Sequence, residues 1–331
     1  MTATAKTRNI PVDTLRGLAC IMLVAYHVIG NTPQNGLRLQ TGVLKDANEL
    51  LAYIRMPLFT FLSGLVYAWR PFKGDWKAFV KGKIRRLIIP MLVVGTTFAL
   101  FQAFTPGTNA QIQDWRFLHL MPVAHFWFIE SLFLIFLVII PLEHFKVLQT
   151  RTGFAVVFIC ASLVFISNAG TPWFSIAGAF YLFPFFLAGI FCTRFPLQIK
   201  NPRTTGILAF TTILIILLVY GLQYAGPRRS PNALFIGTLS CLALHLSLLK
   251  SRFLASIGNY SYTIYLFHVF FTAASRIALT RTGLSNIWVL FVIGSLLGVA
   301  GPILVEYLAS DSNLFRVYIL GKSPAKQSIG A

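Results

Sequence analysis

Apolar residues in this chain fall into long runs, and the polar residues gather in short clusters between them. Ten runs approach the length of a membrane-crossing helix. Their bounds are about Val12–Ile29, Leu50–Trp69, Arg86–Phe104, Phe126–Pro141, Gly153–Ser167, Ile176–Cys192, Gly206–Tyr224, Asn232–Leu248, Tyr260–Leu279 and Ile287–Ala309. A helix needs about 20 apolar residues to cross a bilayer core. The pattern therefore predicts an all-α, polytopic membrane protein with about ten transmembrane helices around an internal cavity. The fifth run is short and reads as tilted or re-entrant. No repeat or long polar insert divides the chain, so residues 1–331 read as one integral-membrane domain without a soluble domain. Asp13 and Arg16 head a full-length first run with no small-residue cleavage site after it, so it is expected to remain as a span.

That first run holds three ionisable groups, Asp13, Arg16 and His27. The step from Arg16 to His27 turns about 1100°, roughly 20° net, and rises about 16 Å. Both side chains therefore share one helix face, with Asp13 on the same side one turn earlier. Arg16 by itself reads equally as a positive flank of the span, and His27 as an interhelical hydrogen bond. Together they place an acid and a base at the membrane surface and an imidazole near mid-membrane, where ionisable groups mark function by default.

Composition narrows the class. Hydrophobic residues make up 56% of the chain and charged residues 11%, outside the range of soluble domains. The net charge of +19 is concentrated in alternate loops, which excludes a nucleic-acid partner in favour of topology. With both termini cytoplasmic, Lys6, Arg8, the segment from Arg70 to Arg86, Lys146, Arg151, Arg194, Lys200, Arg203 and Lys326 all lie inside. The opposite loops carry few cations, the Arg228–Arg229 pair being the clear exception. A multi-pass location in the cell (inner) membrane follows as the expectation. Cys20, Cys160, Cys192 and Cys241 all lie in apolar runs and imply no disulfide framework.

Four later phrases carry polar chemistry. The second run holds RMPLFTFLSGL, in which Arg55 reads as an anchor at the end of the span and Pro57 as a residue that can begin a helix. The segment ending KIRRLIIP is the densest basic stretch, and Lys77, Lys81 and Arg85 stripe one face if it is helical. HFWFIESLF brings His125, Trp127 and the acid Glu130. In IGNYSYTIYLFHVFF, Ser261, Tyr265 and His268 share a face at i, i+4 and i+7.

These phrases, in this order after D-x-L-R-G and Arg-x10-His, resemble the membrane-bound acyltransferase-3 family of sugar and polysaccharide O-acyltransferases. The resemblance implies acyl transfer, by default acetyl, from cytoplasmic acyl-CoA to a sugar hydroxyl. The acceptor would be a cell-surface or exopolysaccharide unit, a polyprenyl-linked unit being one form. His27 would act as general base, by direct transfer or through an acyl-His, with Arg16, Asp13, Tyr265 and His268 also catalytic. Lys81, Arg85, Arg86 and Arg16 would hold the phosphates of acetyl-CoA, since guanidinium forks grip phosphate oxygens. Anionic lipid or topology explains the same charges. Arg55, His125, Trp127, Glu130 and Ser261 would line the acceptor side. For Glu130, orienting His27, binding sugar, or pairing with Arg55 or Arg116 stand evenly. No metal is expected, membrane lipids are the surrounding partner, and a transporter or flippase of a lipid-linked saccharide is the rival reading.

Overall fold

The computed structural model describes residues 9–106, 108, 114–221 and 226–322. Twelve α-helices follow in order among the described residues: α1 (Ile10–Ile29), α2 (Val43–Trp69), α3 (Trp76–Lys83), α4 (Ile89–Phe104), α5 (Trp127–His144), α6 (Arg151–Ile166), α7 (Ile176–Arg194), α8 (Pro202–Tyr220), α9 (Pro231–Leu246), α10 (Arg252–Asn259), α11 (Ser261–Arg281) and α12 (Ile287–Leu308). No strand occurs among the described residues. Eight helical stretches are long and apolar enough to cross a membrane, α3 and α4 counting as one, and α6 and α9 are shorter apolar helices. Eight and two recover the ten predicted runs of a polytopic all-α protein. Large apolar side chains stand outward on α6, α8 and α12, among them Leu163, Leu218 and Leu296. An apolar surface of this kind belongs in lipid.

Helices touch at glycines. A Cβ on Gly17 would meet the Leu254 carbonyl oxygen at 1.9 Å, and one on Gly258 would meet that of Asp13 at 2.0 Å, so α1 and α10 lie backbone to backbone. Gly64 against Phe186 and Gly189 against Phe61 do the same for α2 and α7. Small residues are what allow such approach in membranes, where apolar burial alone does not drive association. The hydroxyl of Thr14 completes the α1 contact, accepting from the Ser251 N–H at 3.1 Å.

One end of the bundle gathers the basic segment. α3 is capped by Asp75, whose carboxylate accepts from the Ala78 N–H at 3.0 Å. A π-helical turn over Ile84–Ile88 follows. Pro90 has no N–H to give the carbonyl of Arg86, and that carbonyl accepts instead from the Tyr262 hydroxyl at 2.6 Å. The last described residues return to the same place. Gly321, at φ +59°, lies on the backbone of Arg85 and Arg86, and Lys322 pairs with Glu306 at 2.7 Å.

Three local expectations are corrected. α2 begins at Val43, so Pro57 lies inside the helix and Arg55 is buried in its middle (3% exposed), not anchored at its end. The wider turn over Ile84–Ile88 breaks the stripe that Lys77, Lys81 and Arg85 would share on a regular helix. α5 runs past Pro141 to His144. Lys6, Arg8 and Lys326, used above for the orientation of the termini, lie outside the described residues.

Candidate functional site

At the end of the bundle away from the basic segment, a cavity of about 760 Å³ opens between α1, α2, α4, α5, α7 and α11. Its lining reaches inward to Leu23 on α1, Met56 on α2 and Tyr265 on α11. Gly30 ends α1 at φ +89°, a turn with no room for a Cβ, which would meet the Asn35 carbonyl oxygen at 2.3 Å. This turn folds residues 31–37 over one wall.

Three imidazoles meet at the cavity wall: His27 and His125 line it, and His268 is fully buried behind them. The ring centroids of His27 and His268 are 4.8 Å apart, those of His125 and His268 4.9 Å, and those of His27 and His125 5.7 Å. α1 supplies His27, the turn entering α5 supplies His125 and α11 supplies His268. Nδ1 of His268 lies 2.8 Å from the Ile264 carbonyl and 2.9 Å from that of Tyr265. Carbonyl oxygens only accept, so Nδ1 carries the proton and Nε2 presents a lone pair. That Nε2 and both nitrogens of His125 are buried without a protein partner. His27 is half-buried against the cavity and makes no protein hydrogen bond among the described residues.

The neighbouring groups are held in place. The hydroxyl of Tyr265 donates to the carbonyl of His125, so it fixes the turn that carries this imidazole. Trp127 lines the wall two residues on. The guanidinium of Arg55 lies 4.0 Å from the ring centroid of Tyr26 and donates to Asn48 Oδ1 at 2.9 Å. Asn48 in turn donates to the Gly30 carbonyl at 2.9 Å. Tyr26 also stands edge-on to His27, with centroids 4.8 Å apart.

Other expected residues lie elsewhere. Glu130 is buried and accepts from the Ser175 hydroxyl, in contact with neither His27 nor Arg55. Arg116, its other candidate partner, pairs with Asp114 at 2.7 Å, and this bonding holds the Asp114 carboxyl below its usual range. Ser261 starts α11 near the basic end, outside the cavity lining, about two turns from His268. Arg16 pairs with the buried Asp13 at 3.1 Å.

At the basic end, Lys81 and Arg86 are exposed, while Arg85 is half-buried with an unpartnered Nε. These groups fit an anionic ligand. The hold of Tyr262 on the Arg86 carbonyl sets this segment about 9 Å, measured along α11, from His268. Sequence reasoning passed over Tyr26 and Asn48, which orient Arg55. The tyrosine reads as an ordinary span residue and the asparagine lies in the part of α2 taken for a loop.

A bundle of antiparallel apolar helices around a buried polar cavity is the architecture of a membrane enzyme or transporter. The chain belongs to the first class: a family model described as an acyltransferase domain, Acyl_transf_3, matches residues 9–307. No curated protein and no solved structure matches it.

Proposed function

We propose that this membrane acyltransferase moves an acyl group, by default acetyl, from acyl-CoA at the basic end to a sugar hydroxyl in the cavity. The observation that carries the reading is the meeting of His27 and His125, which line the cavity, with the buried His268, one to two turns of α11 from the bond between Tyr262 and Arg86. Lys81, Arg85 and Arg86 hold the donor phosphates, with Arg16 beside them. An extended pantetheine arm spans about 15–20 Å by ordinary bond lengths, enough to carry the thioester from the Arg16 level of α1 to His27.

In the chemical step a nitrogen of His27 takes the proton of the acceptor hydroxyl. The oxygen attacks the thioester carbon, the C–S bond breaks, and the thiolate leaves with the proton from the imidazolium, so acyl ester and free thiol are the products. His268, whose Nε2 has no protein partner in the free enzyme and whose ring adjoins the other two, accepts an N–H of the base once substrates are bound and so orients it. The acceptor is a cell-surface or exopolysaccharide unit, with or without a polyprenyl carrier, and the basic end is cytoplasmic. Purified protein incubated with acetyl-CoA and saccharide tests the reading: release of free thiol coupled to acceptor acylation supports it, and intact acetyl-CoA over many hours counts against it.

A further inference from the structure

Arginine recurs around the cavity where topology gives it no reason to be. Arg55, Arg228, Arg229 and Arg276 all line it, and no carboxylate does among the described residues. The preference for cations on one membrane side accounts for the basic segment at the other end of the bundle, but not for these. Arg229 is occupied: its three nitrogens donate to the carbonyls of Phe165, Ala169 and Val164 at 3.0, 3.0 and 3.2 Å and close the end of α6. Arg228, its neighbour, is exposed, and no carboxylate pairs with it among the described residues. Arg55 is locked by Asn48 and stacked on Tyr26, two ring contacts from His27. A concave wall of one sign, backed by apolar helices, focuses its field into the cavity.

We infer that the mouth of this cavity is an oxyanion site, and that Arg228 and Arg276, with Arg55 deeper, bind a phosphate or carboxylate on the molecule whose hydroxyl reaches His27. The inference rests on the acyl-transfer reading only in naming that molecule the acceptor. Guanidinium forks match the paired oxygens of both anions. The sources are the phosphate of a lipid carrier or the carboxylate of an acidic sugar.

Calorimetric titration of the full purified chain distinguishes them. The probes are inorganic pyrophosphate, glucuronate, glucose, and polyprenyl phosphate in phosphatidylcholine nanodiscs. At least one anion should bind with an affinity that falls as salt rises, and glucose should bind more weakly. The double variant Arg228→Gln/Arg276→Gln should weaken that anion about tenfold or more. Arg228→Lys should recover part of the loss, and Arg281→Gln, at the exposed last residue of α11, should leave it unchanged. Preference for polyprenyl phosphate assigns a lipid carrier, and preference for glucuronate an acidic sugar. Equal affinity of the double variant and the wild type overturns the site, as does binding of no anion. Thiol release from acetyl-CoA is followed in the same preparation. Arginine-dependent anion binding without thiol release removes the acyl-transfer reading and leaves the site. Thiol release that no anion binds to or inhibits removes the site and leaves the reading.

Discussion

His27 faces a cavity without a hydrogen bond of its own, and the two imidazoles beside it carry unpartnered nitrogens. Buried polar nitrogens that serve only packing normally find a partner, so the arrangement suits a proton in transit. Loss of a general base costs about 10²–10⁴ in rate. His27→Ala should therefore lower kcat for acyl transfer by that order with the KM for acyl-CoA within a few-fold, as steady-state kinetics will read. His268→Gln keeps a side chain but loses the directed Nε2 lone pair. It should lower kcat by about tenfold and shift the pH profile without moving the donor KM, at the low end of a proton-transfer contribution. At the other end, Arg86 is exposed and its backbone, not its side chain, holds Tyr262. Arg86→Gln should raise the donor KM several-fold, with the difference from wild type shrinking at high salt as exposed charge is screened. An unchanged donor KM at low salt would reduce Arg86 to a topology signal.

At the scale of elements, the tight crossing of α2 and α7 is the support on which Arg55 and Tyr181 face the cavity. A Cβ at Gly64 would reach the Phe186 carbonyl at 2.0 Å, and a backbone atom cannot swing away. Gly64→Ala should cost about 1–3 kcal/mol, the range for overpacking, seen as a lower thermal midpoint in detergent. Gly82, in the exposed helix α3, has nothing within 4 Å of its Cβ position. Gly82→Ala should be neutral or gain about 0.5–1 kcal/mol from backbone entropy. Equal effects of the two would mean that the glycines do not set the crossing. The apolar runs made most of these helices legible, because spans need continuous apolar length. The start of α2 was not: Lys45, Asp46, Asn48 and Glu49 read as a loop, yet they form the first turns of one long helix. His27 on the face of Arg16, and Tyr265 with His268, followed from helical period. Their meeting with His125 did not, since residues 27 and 268 come from separate helices, residue 125 from the turn before α5, and no local pattern joins them. Glu130 was illegible for the same reason, its partner Ser175 lying in a left-handed turn between two helices.

For the whole molecule, the two ends differ in charge and in shape, and this asymmetry predicts an orientation. The start of α1 packs on α10, α11 begins beside it, and Tyr262 of α11 holds the basic segment, on which Gly321 lies. The start of the first helix, the basic segment and Gly321 therefore share one end, and the cavity opens toward the other. Cations near span ends favour the cytoplasmic side, so the basic end is expected inside and the cavity mouth outside. Single cysteines report this. Cys160 is exposed on α6 and Cys192 partly exposed on α7, and both are first replaced by alanine; Cys20 and Cys241 are buried and stay. Lys73→Cys and Ser285→Cys are then placed at exposed positions in the loops at the two ends. In intact cells a membrane-impermeant maleimide should label the cysteine at 285 and not the one at 73, and both should label after permeabilisation. Labelling of 73 alone in intact cells would invert the protein and put the basic segment beyond reach of cytoplasmic acyl-CoA. Labelling of both would break the assignment of the two loops to opposite membrane faces.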